Sequence, residues 1–284
     1  MQRVLSTYRY VHHPLGPTLL AEIAQAGIPA VEVFCALGHF NYRSQEAVRE
    51  LADALGEHRL KLHSLHSPTE RDMTLGRDSG VPISISNTER VRRQDAVDEV
   101  KRALEVAETV PFEFLVQHIG QGRDDADPKK FEAAFNSLEH LILFAKQRGV
   151  TIALENTPNE LGSPESLHQF VKETRLNGVK FCFDIGHAHI DSNVNTAFEI
   201  MRERVVTTHI HDNYGEKDEH LLPYEGSIDW DEARELFSAT PRALPIVIEL
   251  KEQTGGAPAL DQVRSAFDKI EENLSDKRAR TVKS

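Results

Sequence analysis

Six residues able to bind a metal ion or move a proton close six successive apolar runs of the chain. They are His66 after LKLHSL, His118 after FEFLVQ, Glu155 after VTIAL, Asp184 after VKFCF, His209 after VVTT and Glu249 after PIVI. Taken singly, each has a plainer use: a histidine at a strand end is ordinarily satisfied by hydrogen bonds, and an acid there caps the following helix. Six in succession point to a shared purpose. Three carboxylates aimed into one pocket repel one another and are costly to desolvate unless a cation compensates. Mixed imidazole and carboxylate ligands suit Zn, Mn, Co or Fe better than Ca.

Further candidates cluster beside these. His187 follows Asp184 in DIGHAH, where Gly186 permits a tight turn over the same mouth. His189 faces away if the chain is extended there and is read as structural. Asp218 and His220 form a D-x-H pair on the loop after His209, at a spacing that puts both on one side as metal ligands or substrate contacts. His211 is read as a support rather than a ligand. His63 is expected to fill the interior beneath His66. His12, His13, His39 and Arg43 are expected as exposed loop residues near the rim, and Trp230 as a packing residue. The chain contains no GxxxxGK[ST], no GxGxxG after a strand and no GxSxG, which removes the usual support for nucleotide binding or serine hydrolysis.

The elements that must position these residues alternate strictly. Strand-like runs at Arg3–Thr7, Ala30–Cys35, Leu60–Leu65, Phe112–Gln117, Val150–Leu154, Val179–Phe183, Val205–Thr208 and Pro245–Ile248 are each followed by a segment of helical period. Apolar runs without period-two alternation suit parallel strands buried on both faces. Asp127-Pro128, Ser163-Pro164 and Asp229 mark helix starts. Eight βα units predict a single (β/α)8 barrel, with a doubly wound open sheet as the alternative. In a barrel the C-terminal strand ends converge on one face, so the six strand-end residues become neighbours. One connection is long: Ser67–Arg93, after the third strand, is expected to act as a lid. The barrel is expected over 1–274, with a polar tail at 275–284.

Composition narrows the function classes. The 284 residues are 39% hydrophobic and 27% charged, as in a soluble globular enzyme and unlike a disordered or fibrous chain. No apolar stretch is long enough to span a bilayer, and the N-terminus lacks the apolar core of a signal peptide, so the cytoplasm is the expected location. Two cysteines, Cys35 and Cys182, exclude a disulfide framework. A net charge of −12 disfavours a surface that tracks nucleic-acid phosphates.

The motifs SLHSP, LVQH, ALENT, FDIGHAH, HIHDNYGEKDEHLLPYEGSIDW and VIEL resemble those of the xylose isomerase-like TIM barrels, which join sugar isomerases and epimerases with endonuclease IV. Resemblance to the ketose epimerases implies that Glu155, Asp184, His209 and Glu249 bind one divalent ion (Zn, Mn, Co or Mg), with Glu155 and Glu249 doubling as acid and base on either face of a chelated sugar. His187, His220, His66 and His118 would contact substrate. His220 stands where those epimerases tend to place an arginine. Resemblance to endonuclease IV implies instead up to three zinc ions: His66, His118 and Glu155 on one, Glu155, Asp184, His209 and Glu249 on the second, His187, Asp218 and His220 on the third. DIGHAH with HDNYGEKDEH looks like the sugar isomerase and epimerase branch, and the loops lack the arginine and tyrosine wedges of the endonuclease. The expectation is therefore a metal-dependent isomerase or epimerase of a ketose or keto-polyol, working through an enediolate. An abasic-site endonuclease is the alternative. A small sugar is the expected partner, nucleic acid and membrane are not, and homo-oligomerisation stays open.

Overall fold

A computed structural model describes residues 1–70, 82–191, 193–238, 240, 243–252 and 259–281. Its strands are β1 (Arg3–Ser6), β2 (Ala30–Phe34), β3 (Lys61–His66), β4 (Phe114–Gln117), β5 (Thr151–Glu155), β6 (Lys180–Asp184), β7 (Val205–His209) and β8 (Ile246–Ile248). The helices are α1 (Pro17–Gln25), α2 (Gln45–His58), α3 (Arg90–Glu105), α4 (Pro128–Lys146), α5 (Pro164–Thr174), α6 (Ile185–Asp191), α7 (Val194–Met201), α8 (Trp230–Ser238) and α9 (Leu260–Thr281). Every strand pair is parallel, in the order β7-β6-β5-β4-β3-β2-β1-β8. The remaining seam closes through Ile210, just past β7, whose N–H donates to Val247 O (2.8 Å) and whose carbonyl accepts from Glu249 N (3.1 Å). The result is a (β/α)8 barrel, not an open sheet.

Helix starts follow the sequence signals. Asp127 accepts from Lys129 N and Ser163 from Ser166 N, each with proline in the first turn, where its missing N–H costs nothing. Asp229 accepts from Asp231 N and Glu232 N ahead of α8. Helical backbone continues in α9 to Thr281, through much of the stretch expected as a tail, in keeping with the helix propensity of Lys, Arg and Ala. The central part of the expected lid, 71–81, lies outside the described residues.

Strand parity separates two environments, because successive side chains point to opposite faces. Leu5, Val31, Val33, Leu65, Leu115, Ile152, Leu154, Phe181 and Phe183 join the main core that also holds the buried helix faces. Each such side chain, once fully buried, contributes about 1.5–3 kcal/mol. The alternate positions build smaller clusters, Val4 with Ala30 and Val247, and Val116 with Ala153 and Cys182. On that second parity the strands carry Glu155, Asp184 and His209 at their ends. Among the described residues, no helix is long and apolar enough to cross a membrane.

Candidate metal centre

His66, Glu155, Asp184 and His209 are the last residues of β3, β5, β6 and β7, and His118 and Glu249 immediately follow β4 and β8. Five of the six are almost fully buried, and His118 is partly exposed. Glu155, Asp184, His209 and Glu249 each offer a ligand atom within 4.8 Å of the others. His66, His118 and Glu155 form a second such group, and His187, His211, Asp218 and His220 a third. The structure thus brings together all nine residues singled out above. Seven of them, all but the fully buried Asp184 and His209, border a cavity of about 700 Å³ whose lining also includes Tyr8, Phe34, Asn87, Gln121 and Lys130.

Three of the histidines are held as metal-binding histidines commonly are. His66 Nδ1 is 2.9 Å from Ser67 O, His187 Nδ1 is 2.9 Å from Asn156 O, and His220 Nδ1 is 3.2 Å from Glu249 O. A carbonyl can only accept, so each Nδ1 carries the proton. Each Nε2 is left facing a carboxylate: His66 towards Glu155 Oε2 at 3.3 Å, His187 towards Asp218 Oδ1 at 3.5 Å, His220 towards Asp218 at 3.0 Å. Two lone pairs in opposition are unfavourable; a second proton on the ring, or a cation shared with the carboxylate, resolves them. Metal-binding histidines commonly tie the other ring N–H to a backbone carbonyl in this way. The residues present therefore fit a divalent ion.

The carboxyls differ sharply in proton affinity. Burial would raise Glu155, but the charges of His209 and His118 outweigh it and hold it well below the usual range. Asp184 is likewise penalised by burial and brought down by His187 and His211. For Glu249 burial wins, repulsion from Glu155 adds to it, and attraction to His209 only partly offsets both, so its carboxyl is pushed up to about 7. His220 is driven down to about 3, by burial first and then by its neighbour His211.

Some local expectations are revised and others are met. DIGHAH begins a helix, α6, instead of making a tight turn, and Gly186 serves a different need: a Cβ there would lie 2.0 Å from His211 Cε1. His211 belongs to the third group, yet its Nε2 is 3.0 Å from Asp184 Oδ1, the position of a donor steadying that carboxylate. His39 is buried, not exposed, between His13 O and Thr7 Oγ1. Arg43 lies at Glu99 and Tyr42 rather than at the rim. His63 sits inside the barrel against Thr207. Trp230 packs on Tyr224 and donates its Nε1–H to Asp212.

Three site residues escaped the sequence reading. Glu32 on β2 reaches His209, Asn156 holds Asp184 through its backbone N–H and carbonyl, and Lys251 Nζ lies 2.5 Å from Asp218 Oδ2. An acid inside the buried run VEVFC was the available signal for Glu32, since a buried charge demands a partner.

A family model described as the xylose isomerase-like TIM barrel matches residues 20–273. The chain belongs to that family. An uncharacterized Methanocaldococcus jannaschii protein, MJ1311, is 26% identical over 268 residues, covering 91% of this chain and 87% of its own. A Sinorhizobium fredii relative, uncharacterized protein y4fM, is 29% identical over 169 residues, and the match spans only 53% of its length. Among solved structures, a D-tagatose 3-epimerase-like protein superposes with a TM-score of 0.81 at 24% identity, covering 98% of this chain and 99% of that one. The IOLI protein with a bound zinc atom superposes at 0.78 and 16% identity, covering 97% and 99%. At these identities the likeness concerns the fold.

Proposed function

We propose that this chain is a divalent-metal-dependent sugar isomerase or epimerase acting on a ketose or keto-polyol. The observation that carries the reading is a buried four-residue ligand group containing two glutamates whose proton affinities are driven apart, with Glu249 pushed up to about 7 and Glu155 held low. Carboxyl pairs separated in this way mark acid and base assignments. Glu155, Asp184, His209 and Glu249 would hold the ion, which when bound supplies Lewis-acid polarisation of a substrate carbonyl and its neighbouring hydroxyl. One glutamate removes the proton from the carbon beside that carbonyl, leaving an enediolate. Return of a proton by the other glutamate to the opposite face gives epimerisation, and return to the adjacent carbon gives isomerisation. His187 and His220 hold substrate hydroxyls from the β6 and β7 side, and His66 and His118 from the β3 and β4 side. Likeness in fold to a D-tagatose 3-epimerase-like protein and to a zinc-bound IOLI protein supports the substrate class and the metal.

The three ligand groups described above, among the four that the described residues form, favour, as a second reading, an abasic-site endonuclease with three zinc ions. Against it, the third group already contains a cation: the Lys251 ammonium lies against Asp218 Oδ2 and the Asp218 carbonyl (2.6 Å). The deciding experiment supplies a panel of free and phosphorylated ketoses to the metal-loaded protein in deuterated water and follows carbon-bound deuterium by NMR. Incorporation that disappears in Glu249→Gln is expected. No incorporation with any ketose at full metal loading would overturn the proposal.

A further inference from the structure

Glu32 lies in the middle of β2, has no solvent exposure, and lines no part of the cavity. A carboxylate at that depth costs several kcal/mol unless its partners are well placed. Here Ser64 Oγ donates to Oε2 at 2.7 Å, and His209 Nε2 lies 3.1 Å from Oε1 and 3.3 Å from Oε2. The opposite ring nitrogen, His209 Nδ1, faces Glu155 Oε1 at 3.0 Å, Glu249 Oε2 at 3.5 Å and Asp184 Oδ2 at 3.8 Å. A carboxylate accepts and cannot donate, so Glu32 requires the proton on Nε2 and leaves Nδ1 free to bind a cation. Without that acceptor, a neutral ring could carry its proton on Nδ1, pointing N–H at three carboxylates and unable to ligate.

We infer that Glu32 is the positioning residue of the metal centre: through His209 it selects the ligating tautomer, and Ser64 in turn fixes Glu32. The inference rests on the metal-centre reading above and adds a residue to it. Glu32 touches neither substrate nor ion.

The test compares the full-length protein with Glu32→Leu and Glu32→Gln. Zn²⁺ affinity is measured by chelator competition and the coordination of Co²⁺ by its visible absorption, with circular dichroism reporting the fold. Loss of such an outer carboxylate typically weakens metal binding by about 10–100-fold, and that loss, with altered Co²⁺ bands, is expected for Glu32→Leu. Glu32→Gln keeps a neutral acceptor, roughly half as strong as a charged one, and is expected to recover part of the affinity. Wild-type affinity and spectrum in Glu32→Leu overturn the inference while leaving the metal centre intact. Failure of the wild-type protein to bind either ion overturns both. Should Glu32→Leu not fold, Glu32→Gln decides: affinity and Co²⁺ bands identical to wild type overturn the role of Glu32.

Discussion

Replacing Gly186 by alanine sets two ordinary effects against each other. Gly186 lies inside α6, and a helical Gly→Ala change normally stabilises by about 1 kcal/mol. The space for a methyl is already taken, because the added Cβ would lie 2.0, 2.3 and 2.6 Å from His211 Cε1, Nδ1 and Nε2. The ring cannot simply step aside. It is fully buried, stacks on His220 with centroids 3.8 Å apart and planes 9° apart, and is bound to Asp184. Overpacking of this kind costs about 1–3 kcal/mol, and breaking a hydrogen bond to a charged group about 1.5–3 more. Less the helical gain, the net loss is about 2–5 kcal/mol, or roughly 4–10 °C in Tm at about 2 °C per kcal/mol for a chain of this size. The assay is thermal unfolding in the presence of a chelator, with Gly56→Ala as the control. Gly56 lies inside α2 with nothing within 4 Å of its added Cβ, so that variant is expected to match or exceed wild-type stability. A Gly186→Ala protein as stable as wild type would refute the reasoning.

Two further outcomes follow from buried polar groups. Burial, the largest influence, brings His39 down to about 4 from an ordinary value of 6.5, so the unfolded chain takes up the proton first; its stabilising contribution is complete above pH 6.5 and is lost as the pH falls towards 4. Urea unfolding should show a loss of about 2 kcal/mol between pH 7 and pH 5 from this residue, missing in His39→Gln; equal slopes in the two proteins count against it. Asp212 accepts four donors, the backbone N–H groups of Asn213, Tyr224 and Ile228 and the Trp230 indole. Asp212→Asn turns an NH₂ against two of them, at a cost of about 2–4 kcal/mol, and should shift the fluorescence of the single tryptophan; an unmoved emission spectrum rejects the arrangement.

The barrel and the strand-end residues were legible because both depend on local signals. Eight apolar runs separated by capped helices set the fold, and a parallel barrel leaves little choice about where strand ends go. Glu32 was missed because it sits mid-strand, where strand-end reasoning does not look, although it shares the parity of the inward-facing Ala30. His39 was misplaced because loop residues are exposed by default, whereas its two ring nitrogens both found partners. Lys251 lies on a connection whose path depends on contacts between distant segments, such as the bridge from Asp212 to Leu221, and no periodicity foretells that. DIGHAH read as a tight turn because its glycine and histidines have no helical preference to set against one.

The barrel's seam has a consequence for the order of events during synthesis. β1 finds one of its two partners, β8, only after almost the whole chain has been made, since Arg3 pairs with Ile246 and Leu5 with Ile248. Glu249 follows β8 directly and is held by Ile210 at the opposite edge of β8, across the seam to β7. A nascent chain that has not yet closed the barrel therefore carries Glu155, Asp184 and His209 but lacks the fourth residue of the proposed ligand group. An ion choosing four ligands over three would favour the finished barrel over its precursor. At a free concentration 100 times its Kd, that preference stabilises the closed form by at most about 2.7 kcal/mol, reduced by whatever binding three ligands give the precursor. The centre would then act late, as a latch on a completed ring, not early as a template around which the ring is built.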